Sequence, residues 1–457
     1  MNSSTPYPFE EQQSLAKAKE QFLDKWLKKD ESWIHNIEFT SSKRNLKIHE
    51  VVNLGLSYFN NELCASYYIG IDWIKNKDSE QKDYTKYLVV YPKKNDNLDY
   101  VGMLVHCLKH QEISPFLKEI YHFDFKKPEI PITDFDCELT PFMIVHFLSL
   151  VEKITKQGLK KNYIVVEENL QSKIKGKIVF SQQLKKNIAA KREDRVYCRF
   201  QEYSVNCFEN RLLKKAMTII KRYSAHHLKH YKELIQKENR ILSFFENISE
   251  EISISEIKRV KVNALYKEYV EAIDLAKTIL QRFAYSYKKA DDKTLDKELP
   301  PFWIDMSKLF ELYVYSLLRE TYGATILYQL SDDGKRQTHG KYGDVDFLKT
   351  DEKLIIDTKY KPKYDEDYKI EDIRQLSGYA RDEGVLKKLK LFKPNTQNVD
   401  DEKVVDCVII YPIVDDKKDN KKDNKTDFNN RNIKEAKING FTKFYKCGIK
   451  LPAIKTN

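Results

Sequence analysis

The chain has 457 residues, enough by length for about three domains, each with its own core. Its formal net charge of +11 favours a polyanionic partner, because lysine and arginine contacts to phosphate release counterions. Seven cysteines without a CxxC pair argue against a zinc ribbon or a disulfide framework, and no apolar run approaches the roughly 18 residues of a membrane span.

The opening MNSSTPYPFEEQQ lacks the basic and apolar stretches of a secretion signal, so a cytoplasmic protein is expected. No GxxxxGK[ST] phosphate loop occurs, and any nucleoside triphosphate hydrolysis is expected from a partner. Residues 1–135 read as a mixed β/α module with a charged leading helix, Glu10 to Lys29, and short strands at Ala65 to Ile74 and Lys86 to Lys93. Trp26, Trp33 and Trp73 are ordinary core or interface residues on the bland reading; exposed in a peripheral module, they would suit insertion into a partner.

A mainly helical region over 136–295 follows. Thr140 suits an N-cap and Pro141 the first helical turn, and Gly158 closes the apolar run from Met143 to Ile154. Long helices are expected over Phe208 to Lys237 and Ala264 to Tyr287. His226 and His230 then fall at the i, i+4 spacing that can bind zinc, beside His227, yet no third ligand lies near in sequence and a solvated helix end is the stronger reading. The charged stretch KKADDKTLDKELPP reads as a linker into a last domain, 296–457.

That domain opens on WIDMSKLFELYVYSLL, a helix with Leu309, Phe310, Leu312, Tyr313 and Leu317 as core and Glu311 among them. Downstream stands GDVDFLKTDEKLIIDTKYK. The run Leu354, Ile355, Ile356 suits a strand buried on both faces, and Asp357 and Lys359 interrupt it. With period-two alternation Asp357 and Lys359 share a face while Thr358 points away. An acidic strand with Asp344, a polar turn from Lys349 to Lys353 and the return strand would form a hairpin. Asp344 is preferred as the first acidic residue; Asp346 is a same-face competitor that would shorten the hairpin. Gln375 and Tyr379, four apart, share one face of the next helix. Strands at Val404 to Tyr411 and Phe441 to Leu451 close the domain around a low-complexity loop at about 414–430, which reads as disordered.

Phosphodiester hydrolysis needs hard oxygen ligands for Mg²⁺, an oriented water and an offset for the growing phosphorane charge. Asp344, Asp357 and the Thr358 carbonyl could supply the ligands, and the compact Lys359 ammonium the charge and the orientation. Glu311, Gln375 and Tyr379 complete the candidate site. On the bland alternative the triplet is an ordinary edge-strand Asp and Lys, since DxK arises by chance in a lysine-rich chain.

These residues resemble the PD-(D/E)xK nuclease superfamily, and within it the McrC subunit of McrBC-type modification-dependent restriction systems. The resemblance extends to IKGKIVFSQQLKK, with Lys175, Gly176, Lys177 and Ile178, and to VYCRFQEYSVNCFENRLLKKAM, with Cys198, Glu202, Asn206, Asn210, Arg211 and Lys214. YLVVYPKK, the LFE element at Leu309 to Glu311 and QLSGYA at Gln375 to Ala380 also match. Where the family commonly has arginine this chain has Lys175, and Asp344 follows Gly343 rather than proline.

The resemblance implies an α+β multidomain protein with a C-terminal restriction-endonuclease-like α/β domain. It further implies Mg²⁺-dependent cleavage of double-stranded, methylated DNA and hexamers of a McrB-like AAA+ GTPase as partner, contacted by residues before about 135. Basic residues of the middle region such as Arg211 become candidates for partner or DNA contacts. A stand-alone RecB-like DNA-processing nuclease and a non-catalytic activator of an AAA+ NTPase are the alternatives. Intact charges in an apolar strand weigh against the second.

Overall fold

A computed structural model describes residues 5–10, 15–21, 56–59, 62–74, 86–91, 98–124, 127–132, 139–252, 267–288, 297–299, 301–328, 345–361, 370–391, 404–413, 428 and 432–453. The N-terminal segment contributes β1 (Thr5–Glu10), α1 (Leu15–Gln21), β2 (Leu56–Phe59), β3 (Glu62–Ala65), β4 (Tyr68–Trp73), β5 (Lys86–Tyr91), α2 (Tyr100–Cys107), α3 (Leu117–Ile120), β6 (Tyr121–Phe123) and β7 (Ile130–Ile132). The central segment follows with α4 (Leu139–Gln157), β8 (Asn162–Gln171), β9 (Lys177–Ile178), α5 (Phe180–Gln183), β10 (Arg195–Ser204), α6 (Phe208–His227), α7 (Lys232–Ser243) and α8 (Lys267–Lys288). Next come β11 (Lys297–Leu299), β12 (Phe302–Asp305), α9 (Met306–Tyr322), β13 (Ile326–Tyr328), β14 (Phe347–Lys349) and β15 (Leu354–Thr358). The chain closes with α10 (Ile370–Tyr379), α11 (Glu383–Lys388), β16 (Asp406–Ile413), β17 (Ala436–Lys437) and β18 (Phe444–Lys450).

The result is a mixed α+β protein in two compact units, 1–138 with 296–457 and 139–295, where the sequence reading separates three regions. The physical reason is β12. It lies between β4 and β6 in a five-stranded sheet ordered β1-β5-β4-β12-β6, so the residues leading into α9 are strand partners of the N-terminal segment. At Gly70 a Cβ would stand 2.1 Å from the Phe302 carbonyl oxygen, so the close approach of β4 and β12 depends on glycine. Part of the expected linker is likewise a strand, as β11 pairs with β7.

The helix expected from Trp303 begins three residues later. Trp303 to Asp305 belong to β12, and the Asp305 carboxylate caps α9 by accepting from the Lys308 N–H at 3.0 Å. All five expected core residues of that helix are buried. A second sheet in this unit has the order β13-β14-β15-β16-β18-β17, with β15, β16 and β18 parallel and β13, β14 and β17 antiparallel. Its central β16 is buried across both faces, which accounts for the unbroken apolar run CVIIY. Leu348, Ile355, Cys407 and Ile409 on one face pack against Ile373, Leu376 and Tyr379 of α10.

In the second unit β10 pairs along its whole length with β8 and locally with β9. The helix expected over 208–237 is two, because the chain leaves helical geometry at Leu228, whose buried side chain turns it toward α7. His226 and His230 therefore do not share a helix face. Trp73 is core, with its indole N–H donating to the Pro128 carbonyl at 2.9 Å. Trp26, Trp33, Asp344 and most of the expected loop at 414–430 lie outside the described residues. Among the described residues no helix is long and apolar enough to cross a membrane, and the six cysteines are thiols.

Candidate active site

The hairpin β14–β15 places the chemistry. Phe347 pairs with Ile356, Leu348 with Ile355 and Lys349 with Leu354, across a turn in which Lys353 adopts a φ of 55°. The same register carried one step further sets Asp346 opposite Asp357, and directly opposed residues of an antiparallel pair share a face. Asp346 is fixed there, its Oδ2 accepting from both the backbone N–H and the hydroxyl of Thr358 at 2.7 Å each.

Asp357 is buried, and its Oδ2 lies 2.5 Å from the Lys359 ammonium nitrogen. The ammonium is thus the charged partner of Asp357 in this buried setting. Lys359 is anchored through its own N–H to the Ile410 carbonyl of β16 at 2.9 Å, and its Nζ donates to Gln375 Oε1 at 3.2 Å. The Gln375 amide donates in turn to the Tyr379 hydroxyl at 2.8 Å. An ion pair of 2.7 Å between Lys361 and Asp372 pins the first turn of α10. Asp357, Lys359, Gln375 and Tyr379, all read from the sequence, thus converge on one face, while the Thr358 side chain is engaged with Asp346.

Burial, then the adjacent charges of Asp357 and Glu311, pushes the Asp346 carboxyl well above the usual carboxylate range. Burial raises Asp357 as well, with Lys359 opposing and Asp372 and Glu311 adding to the rise. Burial alone would lower the Lys359 ammonium, but Asp357 and Asp346 overcome it and push the group up to about 12. Lys359 thus stands as a cation beside the two carboxylates. The Tyr379 phenol is raised by burial and remains a donor. Glu311, on α9, accepts at Oε1 from Lys308 Nζ at 2.9 Å and from the Tyr328 hydroxyl at 2.7 Å.

The donor set fits a hard divalent cation. Two opposed carboxylates disfavour each other's charge, and Mg²⁺ takes one or two carboxylates with water filling the remaining positions. Among the described residues no group of three or more His, Cys, Asp or Glu side chains converges on one position, the histidines of 226–230 included.

A family model described as McrBC 5-methylcytosine restriction system component matches residues 65–385, which span the hairpin, α10 and the central signature. The chain belongs to this McrBC family. No curated protein matches it. Among solved structures it is similar to a chain of the refined half-complex of Thermococcus gammatolerans McrB AAA+ hexamers with bound McrC, at 15% identity over 98% of this chain and 94% of that one, with a TM-score of 0.36. It is also similar to a chain of the cryo-EM structure of the McrBC complex from the same organism, at 16% identity over 69% and 87%, with a TM-score of 0.28.

The signature that this McrBC family member carries in its second unit serves the fold there. Gly176 has a φ of 69°, and a Cβ on it would meet the Arg199 carbonyl oxygen at 2.5 Å. The Lys175 ammonium sits 4.1 Å from the centre of the Phe200 ring. Arg211 donates through Nε to the Asn206 carbonyl at 3.1 Å, and Lys214 reaches the Ile248 carbonyl at 2.6 Å.

Sequence reading ranked Asp346 second to Asp344, which lies outside the described residues. What places Asp346 opposite Asp357 is loop length, because a four-residue connection between Lys349 and Leu354 sets which residues oppose one another. Tyr328 and Glu119 were not singled out, as nothing local ties them to Glu311; Lys308 was missed although its i, i+3 spacing to Glu311 on α9 is a local signal.

Proposed function

We propose that this chain is the McrC-like endonuclease subunit of a modification-dependent restriction complex, cleaving double-stranded, methylated DNA with Mg²⁺. The observation that carries the reading is the opposition of Asp346 and Asp357 with Lys359 on the same face, in an otherwise apolar hairpin. Asp346 and Asp357, with the Thr358 carbonyl, would hold Mg²⁺, which supplies Lewis-acid activation of water and an offset for phosphate charge.

This chain's own residues do the rest. The Lys359 ammonium stands over Asp357 and stabilises negative charge as it grows on the phosphate. Gln375 and Tyr379 form a relay of donors that fixes where that ammonium points and can hydrogen-bond a phosphate oxygen or the attacking water. Membership of a restriction-system family supports a McrB-like AAA+ GTPase hexamer as the partner, which recognises and translocates DNA. The N-terminal segment before about residue 135 is proposed to contact it. Solved assemblies of Thermococcus gammatolerans contain McrB hexamers with bound McrC.

The test is cleavage of methylated plasmid by wild type and Asp357→Asn, with and without the AAA+ protein and GTP. Loss of cleavage by about 10³-fold or more with GTPase stimulation intact is expected, in line with removal of a principal transition-state contact. Equal cleavage by both proteins would remove the proposed centre and leave the activator role.

A further inference from the structure

Glu311 touches neither Lys359 nor α10; what holds it comes from the other side of the centre. We infer that Lys308 is a positioning residue of the nuclease centre, clamping Glu311 and tying it to the N-terminal segment through Glu119. This rests on the nuclease reading above. Lys308 Nζ lies 2.9 Å from Glu311 Oε1, 2.7 Å from the Tyr328 hydroxyl and 3.5 Å from Glu119 Oε2, with only 11% of its side chain exposed. Its donors meet one carboxylate, one phenol oxygen and a second carboxylate, and the phenol passes its own hydrogen to the same Glu311 oxygen. The three groups form a closed ring of donors and acceptors.

An aromatic wall surrounds the ring. Phe116 meets Tyr328 edge-on at 4.7 Å, and the ammonium lies 5.8 Å from the Phe116 centroid. Glu311 cannot swing out of this arrangement without leaving a buried ammonium under-paired, which is costly. Burial works against the Lys308 charge, but Glu311, Glu119 and, beyond them, Asp346 raise its pKa and keep it ionised. Glu311 thus lies close enough for its charge to act on Asp346 and Asp357, with Lys359 paired to Asp357 and Lys308 paired to Glu311.

Phe116 and Glu119 belong to the stretch 111–120 of the N-terminal segment. The same stretch grips α9 a second time, where Glu112 accepts from the Tyr315 hydroxyl at 2.9 Å and from Arg319 at 2.7 Å. Displacing this stretch would therefore draw Glu119 off Lys308 and loosen Glu311. A partner bound to the N-terminal segment has in this contact a direct mechanical route to the nuclease centre.

The experiment compares full-length wild type, Lys308→Met, Lys308→Arg, Glu119→Gln and Asp357→Asn. It reads Mn²⁺ affinity by calorimetry, melting temperature, and kcat and KM for Mg²⁺-dependent plasmid cleavage. Removing a cation from beside the carboxylates strengthens their hold on a metal ion, whereas loosening a scaffold weakens it. Lys308→Met is accordingly expected to tighten Mn²⁺ binding about tenfold while lowering kcat about tenfold or more at unchanged KM. Lys308→Arg should restore both, and Glu119→Gln should lower kcat severalfold. Weaker Mn²⁺ binding and a lower melting temperature in Lys308→Met, not rescued by arginine, would reduce Lys308 to packing and overturn the inference. An unchanged kcat in Glu119→Gln would overturn the tie to the N-terminal segment. Undiminished Mn²⁺ binding by Asp357→Asn would overturn the nuclease reading itself, which separates the two failures.

Discussion

The hairpin β14–β15 and the ribbon β8–β10–β9 with the start of α6 are both dense in polar residues that stand out in the sequence, yet they treat those residues in opposite ways. In the ribbon unit Asn210 is fully buried, and its amide donates to the Lys160 and Val205 carbonyls at 2.8 and 2.7 Å while its oxygen accepts from the Tyr269 hydroxyl at 2.8 Å. Asn187 is satisfied in the same way by Asn169, Gln183 and the Arg195 carbonyl. In the hairpin two carboxylates face each other, both pushed up by burial, with the Lys359 ammonium paired to one of them. Buried polar groups with neutral partners hold a fold together; two buried carboxylates set against each other mark a place where a cation is wanted.

The sharpest break in this comparison is within the hairpin. Asp346→Asn is expected to cost about 10³-fold in Mg²⁺-dependent cleavage, like loss of Asp357, because it removes one of the two opposed charges. Asp344→Asn should cost far less, within about tenfold, if the observed register sets the centre. Kinetics of both variants on one plasmid substrate decides the matter, and the reverse ranking would return Asp344 to the first position.

The ribbon side of the contrast is tested by stability. Asn210→Ala removes the acceptor of the Tyr269 hydroxyl and a donor to two carbonyls, and is expected to destabilise the protein by about 2–4 kcal/mol, measured by urea unfolding. Cleavage per folded molecule should stay near wild type. A large loss of turnover at full stability would instead move the signature from scaffold to function.

Local and periodic features were legible in the sequence. The apolar runs of β15 and β16, the amphipathic α9 and the pairing of Gln375 with Tyr379 on α10 all follow from spacing, since period two or 3.6 decides which side chains share a face. Non-local features were not. Nothing in the sequence marks β12 as the strand between β4 and β6, because its partners lie more than two hundred residues upstream in one direct pairing, Trp303 with Gly70. In the clamp on Glu311, Glu119 and Tyr328 are invisible for the same reason, whereas Lys308 stands at a legible i, i+3 spacing on α9. The break at Leu228 was hidden because the apolar period runs through it, and only packing against α7 shows where the first helix stops.

The smallest expected effect separates burial from function. Glu238, in the second unit, is as buried as Asp357, but the Ser224 hydroxyl, donating at 2.5 Å, is its hydrogen-bond donor, and the charge acting on it is that of Lys221. Burial raises its pKa above the ordinary value of 4.5, with Ser224 and Lys221 opposing. The folded state therefore holds this proton more tightly than the unfolded chain, and stability falls as pH rises from about that ordinary value through the folded pKa. Glutamine carries no proton to lose and can still accept from Ser224. Glu238→Gln should then melt close to wild type at pH 4 and above it at pH 8, by about 1 kcal/mol, the low end of the cost of a buried charged group. Catalysis should not change at either pH. A destabilised variant at pH 8 would mean that the Glu238 charge is wanted where it sits, and would place it with Asp346 and Asp357 rather than with Asn210.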